Sequence, residues 1–249
     1  MKPFLFYIGG LGMVGVALVA AFTIQAFFGA SAFQFLALGA LAWIVSVGLK
    51  FAWAIPTNKH VIRFFEQKLP PKLSGYVMWS YVGLLTGVFE CGIALLFVLN
   101  ISLLHSAVWR EALAFGVGFG AVEALLLGFF SLFTVFKMGH KGKKKAAAES
   151  FVILLSAAAA TIIERTFTLF VHAFTKVLIV LAVQQNNYAL FWLSFGFKSL
   201  LDGIAAFGHL KWKVLDKLSR IWIMELVVVV FGVISLLGLW ILRAAYWLG

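Results

Sequence analysis

The sequence predicts an all-α fold: a polytopic transmembrane helix bundle of about seven spans, with the N-terminus inside and the C-terminus outside. Three observations predict it. Of 249 residues, 63% are hydrophobic and only 12% charged, whereas the solvated faces of a soluble domain demand about 25% charged residues. Seven apolar runs, at 3–28, 32–54, 76–99, 107–136, 150–183, 187–207 and 219–247, reach the length a spanning helix needs, about 20 residues. The connections between them alternate between basic and neutral.

The first run follows Lys2 and precedes Ala30-Ser31-Ala32, a small-residue triplet that invites a signal-peptide reading. It far exceeds the ~7–15 residues of a signal core, so an uncleaved first span is expected. All four prolines (Pro3, Pro56, Pro70 and Pro71) fall at or outside the predicted span ends, which predicts uninterrupted helices with short connections. In the fourth span, GVGFGAVEALLLG at 116–128 places Gly116, Gly118, Gly120, Ala124 and Gly128 together. They are expected to smooth one side of the helix for close packing. A dinucleotide-binding loop is excluded, because the stretch follows no strand and lies at membrane depth. The fifth run is long enough to hold a short extra helix before a full span, with a break near Ala157–Ala160. No soluble domain, linker or short repeat interrupts the chain, so residues 1–249 are expected to form a single transmembrane domain.

The charges sort by connection. Residues 55–75 carry Lys59, Arg63, Lys68 and Lys72, residues 137–148 carry five lysines, and residues 208–220 carry Lys211, Lys213, Lys217 and Arg220. The turns near 29–31, 100–106 and 184–187 carry no lysine or arginine. This is the positive-inside pattern. The net charge of +11 is therefore an orientation signal; the implied partner is the lipid bilayer and not nucleic acid. HKGKKK at 140–145 reads as a topology anchor, able to attract anionic headgroups at about 1 kcal/mol per basic residue. Cys91 is the one cysteine, so no disulfide framework exists and no redox compartment follows.

Inside the spans lie Glu90, Glu123, Glu164, Arg165, His172, Lys176, Lys198, Asp202 and Glu225. Each costs about 2.5–3.5 kcal/mol at a helix centre, so such groups are expected to face the bundle interior and find partners. Glu164, Thr168, His172 and Lys176 recur at four-residue steps and predict one polar stripe; Lys198 and Asp202 predict a pair within one helix. Glu90 and Glu123 stand alone on their helices and need partners from elsewhere, with Glu123 brought near a neighbour's polar stripe. Glu225, near the start of the last span, is expected to reach the interface. A network that fixes bundle register and a functional site are both open on these grounds. His105, His140 and His209 lie at span ends or in loops, without ligand spacing to another histidine.

The order GLLTGVFECGIA, AFGVGFGAVEALLLG, IIERTFTLFVHAFTKVLIV and FWLSFGFKSLLDGIAAF resembles the YhfC-like family of intramembrane metalloproteases, similar at a distance to the CAAX-protease and bacteriocin-processing group. The resemblance covers roughly residues 76–207. It implies a catalytic centre within the bilayer, where a Glu-Glu pair followed by an arginine activates water. Histidines of a Gly-His-Gly and a His-x-x-x-Asp element help hold the metal. Zinc, the implied ion, needs about three protein ligands plus the water it activates. Position by position, Glu90 matches the first glutamate, while Cys91 and Ala94 stand where its partner glutamate and the arginine would be. Phe119 replaces the histidine of Gly-His-Gly, and Glu123 after it is retained. Glu164-Arg165 and His172 match the next motif, whereas Lys198 replaces the histidine of His-x-x-x-Asp and Asp202 remains.

One motif histidine of three survives. The leading expectation is a non-catalytic member of this fold without a cofactor, its charges stabilising the bundle or binding lipid or a transmembrane segment of another membrane protein. Lys198 then pairs with an intramembrane carboxylate, with Glu123 as first candidate. The alternative is an active intramembrane metallopeptidase with substituted ligands: Glu90 and Glu123 as catalytic carboxylates, zinc on His172, and Cys91 a conceivable further ligand. A third class, a proton-coupled or small-solute transporter, is weakened by the lack of repeats and of proline-interrupted half-helices. The expected location is a bacterial or archaeal cytoplasmic membrane.

Overall fold

The computed structural model describes residues 4–137 and 151–247, and every regular element among them is helical. HKGKKK at 140–145, with His140, lies outside the described residues. Seven helices are long and apolar enough to cross a membrane, one for each predicted span. They are α1 (Phe4–Phe28), α2 (Ser31–Lys68), α3 (Pro71–Thr86) running through a π-helical turn (Gly87–Cys91) into α4 (Gly92–Asn100), α6 (Trp109–Lys137), α7 (Phe151–Gln184), α8 (Ala189–Leu210) and α9 (Leu218–Trp247). A short α5 (Ser102–His105) and a 3-10 turn (Val214–Asp216) complete the described elements.

The bundle is built around α7. Its most apolar window is 78% buried, and it packs against α1, α4, α6, α8 and α9. Val177 to Val183 is apolar without interruption and buried throughout, as expected of a helix with neighbours on all sides. The sequence leaves open whether this run is one helix or two, with a break near Ala157–Ala160; α7 is one helix. Alanine is the strongest helix former, and no glycine or proline occurs between Phe151 and Gln184.

The expectation that Pro56 ends the second span is also corrected. Pro56 lies inside α2, which continues to Lys68 and extends about 57 Å at 1.5 Å per residue. The Tyr81 hydroxyl of α3 accepts from Trp53 Nε1 at 3.3 Å and donates to Asn58 Oδ1 at 3.4 Å. It thus clamps the helix on both sides of the proline. Thr57 Oγ1 adds a bond of 2.7 Å to the Trp53 carbonyl. Lys59, Arg63 and Lys68 therefore project from a helix rather than a loop. The chain breaks only at Leu69, which is extended (φ −121°, ψ 148°), as a residue preceding proline prefers.

The glycines of α6 serve two faces, which corrects the single smooth side expected from sequence. A Cβ on Gly116 or Gly120 would press on Ala173 or His172 of α7, while one on Gly118 would run into the Leu36 backbone of α2. Two residues along a helix rotate by about 200° and four by about 400°, so Gly118 faces away from the side that Gly116 and Gly120 share. α2 answers with Gly39, where a Cβ would collide with the Phe115 carbonyl. The backbones of α2, α6 and α7 consequently approach closely enough for polar side chains to reach across.

Gly39→Ala is accordingly expected to push α2 and α6 apart and cost about 1–3 kcal/mol. Gly48→Ala, on the same helix but with nothing within 4 Å of the added carbon, is expected to be neutral or slightly stabilising. Thermal unfolding followed by tryptophan fluorescence in detergent checks the pair; equal melting temperatures would refute the close contact.

Candidate functional site

Glu90 reaches the interior through the π-helical turn. That turn admits an extra residue per turn and commonly marks functional positions. It leaves both Glu90 and Cys91 buried, at 3% and 0% exposure. Glu90 Oε1 accepts from Lys50 Nζ of α2 at 2.9 Å. Its Oε2 faces Lys198 Nζ of α8 at 3.4 Å, and Lys198 also donates to Asp202 Oδ1 at 3.0 Å. The pair predicted within α8 is present, and Lys198 additionally joins α8 to the π-helical turn.

Glu123 projects from α6 into a second set of partners. Trp43 Nε1 of α2 donates to its Oε2 at 2.9 Å, and Arg165 of α7 donates to its Oε1. His172 Nε2 lies 3.0 Å from Oε2. Arg165 bridges to Glu164 as well. Glu123 thus meets the polar face of α7, as expected, but Lys198 is not its partner. The correction is geometric: α8 packs on α3 and the π-helical turn, which puts Lys198 beside Glu90.

The remaining motif positions divide. Phe119 is fully buried, with its ring centroid 5.3 Å from that of His172 and Lys176 Nζ 4.1 Å over its face. His172 Nδ1 and Lys176 Nζ have no hydrogen-bond partner. Thr168 Oγ1 turns back to the Arg165 carbonyl at 3.4 Å, so the stripe of α7 shares a face without forming a continuous chain. Cys91 Sγ sits 3.6 Å from Ser194 Oγ, and Ala94 is buried in the apolar core. The His105 carbonyl accepts from Gln184 Nε2 at 3.1 Å.

Sequence reasoning missed Lys50 and Trp43. They stand seven residues apart on α2, hence on one face, and Lys50 lay inside the predicted 32–54 span. A lysine short of a span end was a usable signal. It was obscured by the basic segment that follows.

Glu90, Glu123 and His172 each offer a ligand atom, all within 4.8 Å of one another. Cys91 is not part of this convergent group. The two carboxylates and one imidazole are a donor set zinc accepts. The charge around them is not. In their ordinary ionised forms, Glu90, Glu123, Glu164 and Asp202 are matched by Lys50, Arg165, Lys176 and Lys198. A divalent ion would add two uncompensated charges at membrane depth, where the cost is several kcal/mol. The positions converge as a metal site does, but the residues present do not fit a divalent metal.

The YhfC intramembrane metalloprotease family matches residues 13–228. The chain belongs to this family, and the match reaches beyond the motif-bearing 76–207 to take in most of α1 and the start of α9. No curated protein and no solved structure matches it.

The Lys50–Glu90 contact can be tested as a thermodynamic cycle. Lys50→Met and Glu90→Gln each remove one partner of a buried pair and are expected to cost about 3–5 kcal/mol. The double variant is expected to lose at least about 1 kcal/mol less than the sum. Equilibrium unfolding of the four proteins in mixed micelles gives the coupling, and strictly additive losses would refute the pairing.

Proposed function

We propose that this chain is a non-catalytic member of the YhfC family, a membrane binding or scaffolding protein whose buried charges hold the bundle in register without a metal. The observation that carries the reading is Lys198, which stands where the family pattern has a histidine and lies 3.4 Å from Glu90 Oε2. An ammonium there supplies the positive charge an ion would supply and cannot itself ligate one. Phe119, at the second substituted histidine, accepts Lys176 on its ring face and has no donor atom.

The binding half of the reading is supported by an apolar groove of about 590 Å³ between α1, α6, α7 and α9. Gly15 lines it, and a Cβ there would meet nothing within 4 Å. The occupant we assign is an apolar transmembrane segment of another membrane protein. The charge alternation of the connections supports an N-in, C-out orientation in a bacterial or archaeal cytoplasmic membrane.

A second reading, an active metallopeptidase, is favoured by one observation: the convergence of Glu90, Glu123 and His172. These three would hold the metal, whose chemistry is to turn a bound water into a nucleophile near neutral pH. On that reading Lys198 has to leave Glu90.

Elemental analysis of the purified protein separates the two. The proposed function predicts well under one zinc per chain and no rise in melting temperature when zinc is added. A bound ion at 100 times its Kd would stabilise by about 2.7 kcal/mol. The double variant Phe119→His, Lys198→His is expected to acquire zinc. One zinc per wild-type chain would overturn the proposal.

A further inference from the structure

Away from the central cluster, a cavity of about 260 Å³ lies where the N-terminal ends of α1, α7 and α9 meet the C-terminal parts of α6 and α8. Two carboxylates, Glu164 and Glu225, line it together with the imidazole of His209. The sequence suggested that Glu225 reaches the interface; instead it is buried, at 7% exposure, and its Oε2 has no hydrogen-bond partner. No cationic side chain among the described residues pairs with it. Glu164 is already held on one oxygen by Arg165, which is shared with Glu123. The basic residues of the central cluster are engaged there, so Glu225 faces the cavity with a carboxyl oxygen that has no partner among the described residues.

A buried carboxyl oxygen without a partner calls for a hydrogen-bond donor. The walls say what kind. Between the carboxylates they are apolar, formed by Ala157, Ile221 and Val228 among others. A bare metal ion requires oxygen ligands on most sides, whereas beyond the two carboxyls the lining side chains offer oxygens only at Ser131 and Thr161, the latter already bonded to the Ala158 carbonyl. A primary ammonium group on a short carbon chain matches both parts. Its N–H groups donate to carboxylate oxygens in charge-assisted bonds, and its methylenes lie on the apolar wall. His209 is exposed, which marks the side from which a ligand enters. We propose that this cavity is a binding site for a primary alkylammonium group, held by Glu225 and Glu164. The group can arrive on a free amine or as the ethanolamine headgroup of a phospholipid.

The test uses the full chain in nanodiscs, with thermal unfolding read by tryptophan fluorescence. In phosphatidylglycerol discs, ethylammonium chloride is titrated beside tetramethylammonium chloride and sodium chloride at equal ionic strength. Ethylammonium is expected to raise the melting temperature saturably, and the other two, which cannot donate hydrogen bonds, are expected not to. Glu225→Gln, which conserves volume and breaks no ion pair, is expected to weaken the response about tenfold or more. Ala157→Leu, which fills the cavity and leaves both carboxylates in place, is expected to abolish it. A Glu225-dependent stabilisation that occurs only when phosphatidylethanolamine is in the disc assigns the group to a lipid headgroup; one with ethylammonium alone assigns it to a free amine. No Glu225-dependent stabilisation in either setting, or equal responses to all three salts, would overturn the proposal. The zinc content of the central cluster has no bearing on any of these outcomes.

Discussion

A carboxylate at membrane depth has to be met by positive charge, and in this protein that requirement ties the bundle together. Glu90 and Glu123 come from different spans, and neither has a basic residue on its own helix within reach. Their partners come from α2, α7 and α8: Lys50 and Lys198 for Glu90, and Arg165 and Trp43 for Glu123. Five spans are fixed relative to one another by these contacts. The contacts are possible because glycines bring the helices close. Gly39 and Gly118 interlock α2 with α6, and Gly116 and Gly120 seat α6 on α7.

The two substituted histidine positions act in the same direction. At 198 an imidazole, which can ligate, has given way to an ammonium, which can only pair. At 119 an imidazole has given way to a phenyl ring, whose negative face attracts Lys176 and stacks beside His172. Each change replaces a ligand with something that accommodates a cationic side chain. A buried ionic network of this kind contributes less to net stability than to specifying a unique arrangement, because desolvation cancels much of the attraction.

Much of the architecture was legible in the sequence. Seven apolar runs gave seven spanning helices, since length and hydropathy are strong constraints in a membrane. The Lys198–Asp202 pair followed from four-residue spacing alone. What sequence spacing does not encode is which helix stands next to which. Lys198 was expected beside Glu123 and lies beside Glu90, because α8 packs on the π-helical turn. The turn itself had no sequence signal beyond Gly87. Pro56 was read as a terminator by local rules, but the Tyr81 hydroxyl, 25 residues away in sequence, holds the helix on both sides of it. Lys50 was hidden by its own neighbourhood, since a lysine close to a basic segment looks like an orientation signal.

Two carboxylate-bearing sites in one bundle are distinguished by their charge. In the central cluster every acid has a basic counterpart, and three donor atoms still converge within 4.8 Å. The geometry can persist without an ion because Lys50, Lys198 and Arg165 do the holding. A metal could enter only by displacing one of them from Glu90 or Glu123, leaving Lys198 with Asp202 or Arg165 with Glu164. At the cavity beside α9 the balance is reversed: Glu225 is buried with an oxygen unpaired, and nothing has to be displaced for a cation to bind. The centre that resembles a ligand site by motif is thus the one whose acids are already ion-paired. The carboxyl outside every motif lacks a partner on one oxygen, and ligand binding is favoured where a buried polar group is unsatisfied.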